Sequence, residues 1–224
     1  MIPLRDQIKT HITPIVNYML IAINIFVFFL QWSAGSNQEA LVFQFALIPA
    51  DFTAGVDVGA IRNIFTSMFM HAGLAHIAGN MLYLWIFGDN IEDSMGHGRY
   101  LLFYLIGGLV ASLTHIFTNP DSQIPTVGAS GAIAAVLGAY LVLYPQSRVQ
   151  TLIPLGGFIK VTTVPAIIVL GLWFVLQLFS GVMSMGGPDV GGVAFWAHIG
   201  GFVAGVVLAK LFARKRAPGS MPTF

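Results

Sequence analysis

"TVGASGAIAAVLGAY", residues 126–140, places one hydroxyl, Ser130, at the head of an otherwise apolar helical segment, between Gly128, Ala129 and Gly131. A serine there can be a helix N-cap or packing glue between membrane helices. It can also be a nucleophile, and the remainder of the chain decides among these.

The surroundings of this segment set its solvent. Of 224 residues, 56% are hydrophobic and only 8% are charged. A soluble domain carries roughly 25% charged residues, so the sequence predicts an all-α, polytopic membrane protein. Apolar stretches approaching the ~20 residues that span a bilayer fall near 14–34, 72–91, 99–118, 128–145, 162–184 and 194–212. They predict a bundle of six transmembrane helices. The fourth stretch is short, which suits a helix whose outer end stops below the membrane surface. Between the first two, residues 35–65 mix Phe43, Phe45, Leu47 and Ile48 with Pro49, Asp51, Gly55 and Asp57, and are expected to fold partly into the interface. The first stretch exceeds the h-region of a signal peptide and is followed by five more, so it reads as a retained helix. The expected organisation is a short cytoplasmic segment 1–13, a six-helix domain 14–212 and a basic cytoplasmic tail 213–224.

Orientation follows from the basic residues. With the N-terminus in the cytoplasm, all but Arg62 of the ten Lys and Arg fall inside, a pattern that obeys the positive-inside rule. Both termini are then cytoplasmic, in a bacterial-type cell membrane. A net charge of +1 gives no support to a nucleic-acid partner. The absence of cysteine excludes a thiol nucleophile and a thiolate metal site.

That topology assigns depths to the polar residues within the spans. Ser130 lies at the outer end of helix four, and His198 lies a turn into the outer end of helix six, in "FWAHIGGFVAG". His71, His76 and Asn80 follow the outer half of helix two, in "HAGLAHIAGN" (71–80). Ionisable groups inside membranes are expensive and usually functional. Here three helices converge on one level. Helices four and six also carry small-residue stripes, Gly131, Ala134, Ala135 and Gly138 against Ala197, Gly201, Gly205 and Ala209. Such stripes let helix backbones approach closely in lipid, and this approach would bring a serine side chain to an imidazole.

A serine hydroxyl becomes a useful nucleophile when a neutral histidine takes its proton. A triad would add a carboxylate, but Asp89, Glu92 and Asp93 sit at the inner end of helix two and the other acidic residues lie outside the spans. The expectation is a Ser130–His198 dyad, oriented by close helix packing. The oxyanion needs donors. The Ser130 N–H is free at its helix start, and His76 and Asn80, four apart on one face, can donate side-chain N–H groups. His71 is expected to hold a water or the outer loop. Zinc peptidases need His-Glu-x-x-His, and "HAGLAH" has neither that spacing nor the glutamate. An aspartyl site needs two carboxylates in membrane helices. Neither metal nor cofactor is expected.

The chain resembles the rhomboid intramembrane serine proteases over nearly its whole length. The resemblance rests on "GASG" (128–131), "AHIGG" (197–201) with Gly205 following, "HAGLAHIAGN" (71–80), "RNIFTSMFMHAG" (62–73) and Glu92. It implies Ser130 as nucleophile, His198 as base, His76 and Asn80 as oxyanion donors, a water-filled cavity opening outward, and segment 35–65 embedded laterally in the outer leaflet. The implied substrates are single-pass transmembrane proteins, cut near the outer ends of their helices, with membrane lipid as surrounding partner. Two positions depart from some relatives: Ala134 stands where a tyrosine can stack on the base, and Gly79 where an aromatic faces helix five. A silent, client-binding relative would be expected to lack the serine or the histidine, and a small transporter to show inverted repeats; neither pattern is found. Substrate access is expected between helices two and five, beside Trp173 and Phe174, under the glycine-rich loop "MGGPDVGG" (185–192).

Overall fold

The computed structural model describes residues 1–156, 158–184 and 193–214. Its principal helices are α1 (Ile15–Ser33), α5 (Leu74–Met95), α6 (His97–Thr118), α7 (Ser130–Leu143), α8 (Ala166–Ser184) and α9 (Phe195–Phe212). These coincide with the six expected stretches. α1, α6, α8 and α9 are individually long and apolar enough to cross a membrane. α5 has the length, but its last turns carry Asp89, Glu92 and Asp93. α7 has 14 residues, about 21 Å at 1.5 Å per residue. That is well short of a ~30 Å hydrocarbon core. The architecture is a polytopic helical membrane bundle.

α7 is the centre of this bundle. Every residue from Gly131 to Tyr140 is buried, as the all-round apolar sequence requires. α8 is the periphery. Ala166, Val169, Leu170 and Gly181 are its buried residues, whereas Ile168, Leu172, Val175, Leu176 and Phe179 are exposed, a lipid-facing side.

Glu92 shows how the sequence holds the first helix. Pro14 precedes α1 and supplies no side-chain cap, so the first N–H groups of the helix need partners from elsewhere. Glu92, fully buried, accepts from Val16 N–H at 3.0 Å and Asn17 N–H at 2.7 Å, and also meets His97 Nδ1. Its acceptor oxygens sit at the positive end of α1. Asn17 completes the clamp, donating to the Leu84 carbonyl at 3.0 Å and accepting from the Tyr100 hydroxyl at 2.8 Å.

The bundle also carries a small sheet. β1 (Ile2–Asp6), β2 (Arg148–Leu155) and β3 (Phe158–Pro165) form an antiparallel sheet in the order β1-β2-β3. It lies at the end opposite Ser130. The fifth apolar stretch was expected to begin at 162, but "VTTV" (161–164) is strand and the helix starts at Ala166. β-branched residues favour the strand, and Pro165 biases the residue before it towards extended backbone. Residues 35–65, expected to fold partly into the interface, form α2 (Gln38–Phe45), α3 (Pro49–Ala54) and most of α4 (Val58–Thr66). Asp57 caps α4 by accepting from Ala60 N–H at 2.7 Å. The loop "MGGPDVGG" lies outside the described residues, as does the basic tail beyond Arg214.

Candidate functional site

α5, α7 and α9 all begin at the same end of the bundle, so residues early in each converge. Ser130 is the first residue of α7 and His198 lies in the first turn of α9. The Ser130 Oγ is 2.7 Å from His198 Nε2. Such a distance between residues 68 apart in sequence needs helix axes closer than ordinary packing gives, and the glycines supply it. A Cβ on Gly201 would collide with the carbonyl oxygen of Gly131, and one on Gly205 with that of Ala135. Gly138 meets the Phe202 carbonyl in the same way. Gly131 also faces α6, where an added Cβ would lie 2.6 Å from the Ala111 Cβ.

Gly128 shapes the approach to Ser130. Its φ of +134° is one that L side chains rarely adopt, and its N–H donates to the Ser67 carbonyl at 2.9 Å. A Cβ there would fall 2.9 Å from His76 Nε2 and 3.6 Å from Ser130 Oγ. The bare glycine thus separates the His76 ring from the serine by the thickness of one small group.

His76 has a defined tautomer. Its Nδ1 accepts from Ala72 N–H at 3.4 Å, which leaves Nε2 to carry the proton and point it towards Gly128 and Ser130. Asn80, one turn on, is buried, and its Nδ2 has no acceptor among the described residues. Ser130, His198, His76, Asn80, His115 and Trp173 all line one cavity of about 1260 Å³.

His71 is held by α1. Its side chain is fully buried, and its ring packs edge-on against that of His76, centroids 5.2 Å apart. Gln31 of α1 accepts from the His71 N–H at 3.0 Å and donates to its carbonyl at 3.3 Å. Hence His71 backs His76 from behind, fastened through its backbone.

Two residues around the base were not anticipated in these roles. Gln177 of α8 presents Oε1 to His198 Nδ1 at 2.7 Å. Trp173, one turn earlier, sets its ring 5.7 Å from that of His198 at an interplanar angle of 36°. A partner on α8 is thus added to the close helix packing expected to orient His198. Trp173 thus covers one flank of the imidazole. The sequence does hold a signal: Gln177 is the one amide in the apolar run 166–184, four residues from Trp173.

Comparison with known proteins adds the context of these residues. The family model of the Rhomboid domain matches residues 58–215. The rhomboid protease GluP of Bacillus subtilis is 32% identical over 206 residues, covering 91% of this chain and 36% of that protein. The mitochondrial rhomboid protein 1 of Saccharomyces cerevisiae is 28% identical, covering 92% of this chain and 55% of that protein. The mitochondrial presenilin-associated rhomboid-like protein of Bos taurus is 29% identical over 77% of this chain and 45% of its own length. The chain thus spans between about a third and just over a half of these relatives.

Proposed function

This chain belongs to the rhomboid family, and on that premise we propose that it is an intramembrane serine endopeptidase that uses Ser130 and His198 as a catalytic dyad. The observation that carries this reading is the 2.7 Å contact between Ser130 Oγ and His198 Nε2.

In this mechanism the Ser130 oxygen attacks the carbonyl carbon of the scissile peptide as its proton passes to His198 Nε2. Charge develops on the former carbonyl oxygen. Donors aimed at that point are the Ser130 N–H at the start of α7, His76 Nε2–H and Asn80 Nδ2. Collapse of the tetrahedral species breaks the C–N bond, and the imidazolium returns its proton to the leaving amine. Water then attacks the acyl-serine by the same route in reverse roles. No step requires a metal or a cofactor.

The substrates we propose are single-pass transmembrane proteins, cut near the outer end of their helices, with membrane lipid as the other partner and no nucleic acid. A helix hides its carbonyls in i→i−4 bonds, so the scissile segment must unwind and is expected to hold small or helix-weakening residues. The protease domain covers 14–212, flanked by 1–13 and 213–224. The end of the bundle bearing Arg5, Lys9, Arg99, Arg148, Lys160 and Lys210 faces the cytoplasm, in a bacterial-type cell membrane. The chain has no cysteine, so single introduced cysteines can map that orientation without background.

The deciding experiment is cleavage of a panel of fluorescent transmembrane substrates by the purified protein in proteoliposomes. Ser130→Ala should abolish it. Cleavage that persists in folded Ser130→Ala protein would overturn the assignment.

A further inference from the structure

We propose that Gln177 is a positioning residue that selects the reactive tautomer of His198 and makes it depend on the packing of α8 against α9; this rests on the dyad reading above. To accept the serine proton, His198 Nε2 must be bare, so the ring proton must sit on Nδ1. A buried N–H left without an acceptor is costly. His198 is 8% exposed, and Gln177 Oε1 stands 2.7 Å from its Nδ1. The amide oxygen accepts that proton in the resting state. It goes on accepting it when Nε2 is also protonated, because both nitrogens of an imidazolium are donors.

The choice of an amide has a physical reason. A carboxylate in this place would have to stay ionised within a membrane helix, where charge is expensive. A neutral amide oxygen orients the ring through its dipole and needs no counter-charge.

Gln177 reaches the base because of its place on α8. Trp173, Gln177 and Gly181 recur at four-residue intervals on one face. A Cβ on Gly181 would lie 3.2–3.5 Å from Ile199, Phe195 and Trp196 of α9, so the two helices run close at this turn. The opposite side of α8 exposes Leu176, Phe179 and Val182. A displacement of α8 from α9 therefore removes the acceptor from Nδ1. The base is correctly set only while α8 is docked.

The test compares wild type, Gln177→Leu and Gln177→Glu as purified full-length protein. Each is assayed for kcat and KM, for labelling of Ser130 by a fluorophosphonate, and for the His198 ring tautomer by 15N NMR, with His198→Ala supplying the assignment. Gln177→Leu keeps the bulk and removes the acceptor. It should lower kcat and the labelling rate by about 10–100-fold, the scale seen when a group that orients an imidazole is lost. KM should stay within roughly threefold, and the Nδ1–H tautomer should no longer dominate. Gln177→Glu restores an acceptor oxygen at the cost of a carboxyl within a membrane helix, and should recover part of the kcat that Gln177→Leu loses. Wild-type kcat and an unchanged tautomer in Gln177→Leu would overturn the proposal. Equal loss in both variants, accompanied by early melting, would reduce Gln177 to a structural role and overturn it as well. If wild type neither cleaves nor labels, the protease reading fails, while the tautomer of Gln177→Leu still decides whether Gln177 sets the ring.

Discussion

Gly201 meets the carbonyl oxygen of Gly131 with no room for a Cβ between them, and this contact brings α9 near enough to α7 for His198 to reach Ser130. Fold and site geometry thus depend on the same atoms. Gly201→Ala and Gly205→Leu should each lower the melting temperature and the cleavage rate together. Small-to-large changes in packed interiors destabilise by about 1–3 kcal/mol, and insertion against a rigid backbone belongs at the upper end. Paired thermal unfolding and rate measurements in detergent check this. A variant that melts normally and cleaves normally would contradict the close-approach account.

Ser130 and His198 are expected to behave as one unit. Ser130→Ala and His198→Ala should each abolish turnover, and the double variant should be no worse than either single one, as for groups that act in one step. Ser130→Ala removes only a hydroxyl and should leave the melting temperature nearly unchanged. Additive losses in kcat would mean that the two residues act separately.

How much of this was legible before the fold was known depends on the range over which each signal acts. Apolar length and small-residue spacing are local properties of the chain, so the six helices and the α7–α9 contact could be read directly. Ser130, His198, His76 and Asn80 were legible as candidates because each is polar within the first two turns of an apolar helix, and all four line one cavity. The β2–β3 hairpin was hidden by composition: "VTTVPAIIVL" is as apolar as a membrane span, and only the β-branched residues and Pro165 mark the change of period. Gln177 was a visible oddity in an apolar helix, but its partner depends on the rotation of α8 about its axis, which no local pattern fixes. The placement of His71 was likewise decided at long range, by Gln31 of another helix.

His76 and Asn80 are expected to affect rate more than nucleophilicity. Loss of a single oxyanion donor lowers kcat by about 100–1,000-fold in water-excluded sites. His76→Ala and Asn80→Ala should approach that range, less where the Ser130 N–H compensates. A fluorophosphonate should still label Ser130 in both variants, more slowly. If either variant turns substrate over at the wild-type kcat but binds it poorly, its role is in binding.

Asp6 offers a test of the sheet end. Its carboxylate accepts from the Tyr140 hydroxyl at 2.7 Å and from Asn90 Nδ2 at 2.8 Å, so β1 is tied to the far end of the helix that begins with Ser130. Burial pushes the Asp6 pKa up to about 6. The folded chain then holds this proton more tightly than the unfolded chain does. The stability it contributes is full below the unfolded value of 3.8 and falls as pH rises to about 6. Asp6→Asn keeps an acceptor oxygen and cannot ionise. Relative to wild type, it should gain about 1–3 kcal/mol between pH 4 and pH 7. Melting curves of both proteins at the two pH values check this, and a gap that does not change with pH would refute it.

Trp173 and Phe174 are neighbours on α8 that both meet Phe202 of α9, but Trp173 also reaches His198, and this separates substrate admission from chemistry. Phe174 stacks on Phe202, centroids 4.5 Å apart at 22°. Trp173 lies against the imidazole of His198. If a transmembrane substrate enters between α5 and α8, weakening the α8–α9 contact admits it more readily. Phe174→Ala removes an aromatic pair worth about 0.5–1.5 kcal/mol beyond its buried area. It should raise the rate on a transmembrane substrate in proteoliposomes severalfold relative to a short soluble peptide, because only the former needs α8 to move, whereas any loosening of Gln177 from His198 slows both substrates alike. Trp173→Ala also loosens the contact, but it uncovers one flank of the base and frees the ring to tilt. It should therefore slow the soluble peptide, and any gain in admission of the transmembrane substrate should be offset by the slower chemical step. The two substrates must be measured side by side for both variants. Equal responses of both substrates to Phe174→Ala, or undiminished transmembrane cleavage after α5 and α8 are cross-linked, would place substrate admission elsewhere.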